Sequence, residues 1–234
     1  MALLIAAARS ETGLLRKRNE DAWRIYRDQA FVSADRGFLL AVADGMGSGR
    51  AGSEAAWMAV DQLAHFYHIA EGQLRGERTL QDLIFRSNDA ITRLRTTSGT
   101  HYGMGTTLVV ALLAPDLSAA TVLNTGDSAA FLWRRGRLAR VTTAQVNGTG
   151  ELTNHLGMGP GLVIERARVQ LAVGDRLLLS TDGVHGYLPE DALAVRLAGP
   201  DPEAIATALT EAANATGGKD NATALVAEIR RAPE

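Results

Sequence analysis

Two periodicities alternate along the chain. Leu3 to Ala8, Ala22 to Arg27 and Phe38 to Ala43 read as three strands with turn chemistry between them, the third being a continuous apolar run that fits a buried strand. From Arg50 to Tyr67 the period becomes helical, with Ala55, Ala59 and Leu63 on one face. Leu80, Ile84, Ser87, Ile91 and Leu94 form a second helical stripe. The strand period returns in Thr107 to Leu113, Ala119 to Asn124, Ala130 to Trp133, Leu138 to Thr142, Val163 to Leu171 and Arg176 to Ser180. A last helix is announced by Asp201 as N-cap, Pro202 at the first helical position, and Ile205, Ala208, Leu209 and Ala212 behind it. Asn221 to Ile229 reads as a final strand.

Runs of strands, then paired helices, then more strands fit an α+β class with antiparallel-rich sheets and helices packed outside them. The sequence carries no internal repeat, low-complexity tract or linker, so residues 1–234 read as a single domain. The polar, glycine-rich stretch from Asn147 to Gly161 is the candidate long functional loop.

Composition narrows the function classes. At 234 residues and 46% hydrophobic composition, the chain is large and apolar enough for a substantial core. A formal charge of -2, without basic runs interleaved with aromatics, gives no support to a nucleic-acid surface. No apolar stretch approaches the ~20 residues needed to span a bilayer, and Met1 to Ala8 does not read as a signal peptide. A cytoplasmic protein with no membrane partner is the expectation. The absence of cysteine excludes disulfides, thiolate-ligated metals and every thiolate nucleophile.

Acidic residues gather at element ends. Asp44-Gly45 follows the strand ending at Ala43, and Asp182-Gly183 follows the one ending near Ser180. Glu20-Asp21 introduces the second strand, Asp127 follows another, and Asp220 precedes the last. Any one of these can be a turn or a strand-end cap. As a converging set they would repel by roughly 4 kcal/mol per pair at about 4 Å and an effective dielectric of about 20. Divalent cations would remove that penalty. All-oxygen ligation favours magnesium or manganese, and two such ions about 3.5–4 Å apart can share a bridging hydroxide for in-line attack on phosphorus. The histidines offer no rival site: His65 and His68 fall on a predicted helix surface, and His101, His155 and His185 stand alone in loops.

A rival reading comes from Gly47-Ser48-Gly49-Arg50-Ala51-Gly52, which satisfies the glycine spacing of a dinucleotide-binding turn between a strand and a helix. The same glycines serve equally as a turn that lets the backbone pass close to a metal site.

Taken in order, Ser10 to Ala22 with its Arg16 and Asn19-Glu20-Asp21, Val42-Ala43-Asp44-Gly45-Met46-Gly47, Gly105-Thr106-Thr107, Gly126-Asp127-Ser128, Leu178 to Gly183 and Lys219 to Thr223 resemble the motifs of the metal-dependent protein phosphatases, the protein phosphatase 2C type. The resemblance spans nearly the whole chain. It implies a four-layer α-β-β-α sandwich of two mostly antiparallel sheets flanked by helices, and hydrolysis of phosphoserine or phosphothreonine in proteins at a binuclear Mn2+ or Mg2+ centre. Asp44 would bridge both ions, the Gly45 carbonyl would ligate one, and Asp182 and Asp220 the other. Glu20 and Asp21 would contribute directly or through water, and Asp127 with Asp182 would hold a third, weaker ion. Arg16 would hold the substrate phosphate, since a guanidinium fork pairs with two phosphate oxygens. Phosphoproteins, including a serine/threonine kinase or its targets, are the implied partners, and a monomer the implied state. A catalytically inactive scaffold is the alternative within the same family.

Three positions depart from the pattern. Met46 stands where some members carry a proton-donating histidine, Ala129 follows Ser128 where an arginine is common, and the region between Val141 and Val163 is short for a flap subdomain. The short flap implies a more open cleft.

Overall fold

The apolar run that opens at Phe38 owes its continuity to burial on both faces. The computed structural model describes residues 2–26, 36–70, 73, 76–97 and 101–232. In it β3 spans Phe38–Met46, and its side chains alternate: Leu39, Ala41 and Ala43 pack against helices while Leu40 and Val42 pack into the space between two sheets.

One sheet orders β1 (Ala2–Glu11), β11 (Ala222–Arg231), β10 (Arg176–Ser180), β7 (Ala129–Arg134) and β8 (Arg137–Arg140). The other orders β2 (Asp21–Tyr26), β3, β5 (Leu108–Leu113), β6 (Ala119–Thr125) and β9 (Glu165–Gln170), with the short β4 (Gly105–Thr106) paired to the end of β3. Every ladder among the described residues is antiparallel. Leu177 and Leu179 of β10 and Leu225, Ala227 and Ile229 of β11 meet Leu40, Val42, Val109 and Val122 in the inter-sheet core.

The outer faces are covered by helices. α1 (Ala51–Gln62) and α2 (Glu77–Thr97) lie on the β3 side, their Ala55, Ala59, Val60, Leu80 and Ile84 completing a second core. α3 (Asp182–His185), α4 (Glu190–Arg196) and α5 (Pro202–Ala215) lie on the β11 side, burying Leu193, Ile205 and Leu209 against Leu178 and Val226. The four-layer α-β-β-α expectation is met. α5 starts where expected, with the Asp201 carboxylate accepting from the Ala204 N–H at 2.9 Å, a cap worth about 1 kcal/mol.

Several boundaries differ from the sequence reading. The helix expected from Arg50 to Tyr67 ends at Gln62 and continues as a 3-10 turn over Leu63–His68. The strand expected from Thr107 to Leu113 is β5, starting at Leu108; β4 just before it and the helices α3 and α4 are additional to the sequence reading, and Arg27 lies outside the described residues. The stretch from Asn147 to Gly161 is not a free loop. Leu156 is fully buried and bridges to Thr106, while Asn88 of α2 donates to the Gly159 carbonyl at 3.1 Å and accepts from the Gly157 N–H at 2.9 Å. Among the described residues no helix is long and apolar enough to cross a membrane.

Candidate active site

The antiparallel order brings the ends of ten strands to one edge of the sandwich. The C-terminal ends of β1, β3, β6, β8 and β10 and the N-terminal ends of β2, β5, β7, β9 and β11 all face this edge. The predicted acids therefore converge from both sheets. Asp21 and Asp44 are directly opposed in the β2–β3 ladder, Asp182 begins α3 after β10, and Asp220 and Asn221 lead into β11.

A cavity of about 280 Å3 opens here, lined by Arg16, Glu20, Asp44, Gly45, Met46, Gly47, Thr107, Asp127, Leu152, Asp220 and Asn221. Arg16 sits at its rim, its Nη2 donating to Asp220 Oδ2 at 2.8 Å. Asp182 lies against Asp44 within hydrogen-bond reach, and its Oδ1 is buried with no partner. Asp21 stands behind the cavity wall rather than in it: Oδ2 accepts from Thr181 Oγ1 at 2.9 Å and from Thr223 Oγ1 at 2.5 Å, while Oδ1 is buried and unpartnered.

Electrostatics marks the cluster as unfinished. Burial, reinforced by the neighbouring carboxylates, pushes Asp21 up to about 7 and Asp182 up to about 6, and raises Asp44 well above the usual carboxylate range. Burial also raises Asp127, and raises Glu20 against the opposing pull of Arg16. Among the described residues no three side chains close into a ready-made chelating group. A hard cation that keeps several waters needs only one or two carboxylates, and the donors here are all oxygen. The orphaned Asp182 oxygen and the mutual repulsion make these residues fit divalent cations of the magnesium and manganese type.

The scaffold holding these acids is built from residues that lie inside the recognised motif blocks but to which the sequence reading gave no role. The Asp44 N–H donates to Thr107 Oγ1 at 2.9 Å, and the Asp44 carbonyl accepts from Thr106 Oγ1 at 2.9 Å. Asn221 ties three chain segments together. Its Oδ1 accepts from the Glu20 N–H, and its Nδ2 donates to the Thr12 and Arg18 carbonyls, each at 2.8 Å. Its neighbours in Lys219 to Thr223 formed a recognisable block, but nothing in the block marked the amide as the staple.

Two glycines are dictated by close approach. A Cβ on Gly45 would lie 2.1 Å from the Gly52 carbonyl oxygen, and one on Gly183 would lie 1.8 Å from that of Asn221. Gly52 is thereby the seat of α1 against β3. The strand after that helix is antiparallel to β3, so the β-α-β unit of a dinucleotide fold is absent and that rival reading fails.

The histidines also need correction. His101 Nε2 lies 2.9 Å from Glu54 Oε2, and His185 sits in α3, its Nδ1 3.0 Å from Ser180 Oγ and its ring against Phe131. Burial, aided by Arg140, pushes His185 down to about 4, so it is neutral near pH 7.

Comparison with known proteins bears on the family and the fold. A family model described as Stage II sporulation protein E (SpoIIE) matches residues 34–230. The serine/threonine phosphatase stp of Listeria monocytogenes is 30% identical over 246 residues, covering 95% of this chain and 95% of that protein. The serine/threonine protein phosphatase PstP of Mycobacterium tuberculosis is 30% identical over 95% of this chain and 44% of its own length. A crystal structure of the catalytic domain of PstP in complex with two manganese ions superposes with a TM-score of 0.83 at 30% identity, covering 99% of this chain and all of that one.

Proposed function

Because the chain belongs to the bacterial metal-dependent protein phosphatases (PPM, protein phosphatase 2C type), we propose that residues 1–234 act as one catalytic domain whose reacting groups are the residues gathered at this edge. It is a protein serine/threonine phosphatase dependent on Mn2+ or Mg2+. The observation that carries the reading is the convergence of carboxylates from both sheets on a cavity that also holds Arg16.

In the proposed assignment Asp44, the Gly45 carbonyl, Asp182 and Asp220 hold two divalent cations. Glu20 and Asp21 contribute directly or through water, and Asp127 with Asp182 supports a third, weaker one. When bound, the cations supply Lewis acidity and lower the pKa of water to make a nucleophile. The chain's own part is positional and electrostatic. Thr106 and Thr107 hold the Asp44 backbone, Asn221 holds the segment carrying Glu20, and Thr181 and Thr223 orient Asp21. Arg16, anchored on Asp220, presents a guanidinium at the rim to pair with phosphate oxygens. Met46 lines the cavity and cannot donate a proton, so the leaving alcohol takes its proton from another group.

The substrates are phosphoproteins. That they include a serine/threonine kinase or its targets, and that the protein acts as a cytoplasmic monomer, belongs to the same proposal. No observation favours the inactive-scaffold alternative. The test is turnover of p-nitrophenyl phosphate and of a phosphothreonine peptide by the manganese-loaded protein beside Asp44→Asn and Asp182→Asn. Activity that EDTA abolishes and both variants lose is expected; turnover indifferent to metal or to both substitutions would overturn the assignment.

A further inference from the structure

Two consecutive large apolar residues stand exposed in the chain segment that leads directly into the cavity lining. Leu14 and Leu15 are 72% and 69% exposed, and they immediately precede Arg16, a cavity-lining residue. The other exposed large hydrophobics among the described residues are scattered singly along the chain. The leucines do not owe their exposure to a loose loop. The Leu14 and Leu15 N–H groups both donate to the Gly218 carbonyl, at 2.7 and 3.1 Å, and Asn221 grips the Thr12 and Arg18 carbonyls on either side. Leu14 rests on the bare backbone of Gly218, where a Cβ would lie 2.7 Å from its Cγ. The segment is a fixed apolar step.

We propose that this step is a docking surface for the polypeptide of the phosphoprotein substrate, receiving an apolar side chain that flanks the phosphorylated residue. The inference rests on the phosphatase reading and deepens it. Continuity with the catalytic cavity decides the occupant: Leu15 and Arg16 are adjacent, and an extended peptide advances only about 3.3 Å per residue. With the phosphate at Arg16, a residue one or two positions away lies over the leucines. A lipid surface fits less well, because two of the three cations of this segment, Arg16 and Arg18, are held by oxygens of the protein itself, leaving Lys17 beside the leucines. Arg16 reaches Asp220 at 2.8 Å, and Arg18 reaches the Gly49 carbonyl at 3.4 Å across the rim.

The experiment compares two phosphothreonine peptides that differ only in carrying leucine or asparagine beside the phosphoresidue, with p-nitrophenyl phosphate measured in parallel. The manganese-loaded wild type should prefer the leucine peptide by about fivefold to tenfold in kcat/KM, mainly through KM. Leu14→Ser and Leu15→Ser should each shrink that ratio toward one. Equal kcat/KM for the two peptides in the wild type overturns the proposal, as does a preference that persists undiminished in both variants. So does a finding that the leucines instead drive binding to anionic phospholipid vesicles or dimerisation, each lost in the variants. Should a variant fail to fold, the wild-type comparison alone decides. Absence of metal-dependent turnover of p-nitrophenyl phosphate would sink the phosphatase reading itself, a result distinct from equal use of the two peptides.

Discussion

Replacing Asp182 by asparagine should stabilise the chelated protein while destroying its activity. The carboxyl of Asp182 is raised from 3.8 to about 6 by burial and by the charges of Asp127 and Asp220. A group whose folded pKa is raised contributes stability that is full below its unfolded value and is lost as pH rises through the folded one. Here that window runs from about pH 4 to about pH 6, and at about 1.4 kcal/mol per tenfold change in proton affinity the loss is about 3 kcal/mol. Asparagine carries no charge, keeps an acceptor and has nearly the same shape. In EDTA at pH 8, Asp182→Asn should therefore melt higher than wild type by about 6–12 °C for a domain of this size. At pH 5 the gain should shrink to about half. Manganese should close the gap by stabilising wild type more than the variant. The measurement is differential scanning calorimetry of both proteins at the two pH values, with and without metal. A chelated variant that melts at or below wild type at pH 8, or a gain independent of pH, would refute the view that burial and like-charge repulsion together destabilise the ionised Asp182 at this edge.

Further expectations can be checked alongside. Arg16→Ala should raise KM for a phosphopeptide about tenfold with a smaller change in kcat. It should also tighten manganese binding slightly by calorimetry, because it removes a cation bonded to Asp220; a large loss of bound metal would contradict the assignment of Arg16 to phosphate. Asn221→Ala removes three hydrogen bonds and should cost about 2–3 kcal/mol in urea unfolding, with activity falling as the Glu20 segment loosens. Gly183→Ala forces a Cβ into the Asn221 carbonyl and should cost more than about 3 kcal/mol or displace Asp182; wild-type stability and activity in that variant would mean the approach of α3 to β11 is not required.

Legibility in the sequence followed range. β3 and β10 were readable because a strand buried on both faces is an unbroken apolar run, and α5 because Asp201 and Pro202 mark its start within four residues. α3 and α4 were missed because helices of 4 and 7 residues are too short to display a period. The short β4, separate from β5, was missed for another reason. Thr107 interrupts the ladder to spend its hydroxyl and N–H on Asp44, far away in the chain.

The sequence by itself determined the chemistry available: oxygen ligands in a recognisable order, a guanidinium at Arg16, and no thiol. Only the tertiary structure decided which of these groups meet and in what roles. It opposed Asp21 to Asp44 through strand register, and set Asp21 behind the wall on Thr181 and Thr223, which are 160 and 202 residues distant. It made Asn221 the staple for a segment 201 residues away, and left two leucines exposed directly before the cavity-lining Arg16. Local propensity is a property of a few neighbouring residues, whereas the repulsion, burial and hydrogen bonds that define this site exist only once both sheets have closed on the same edge.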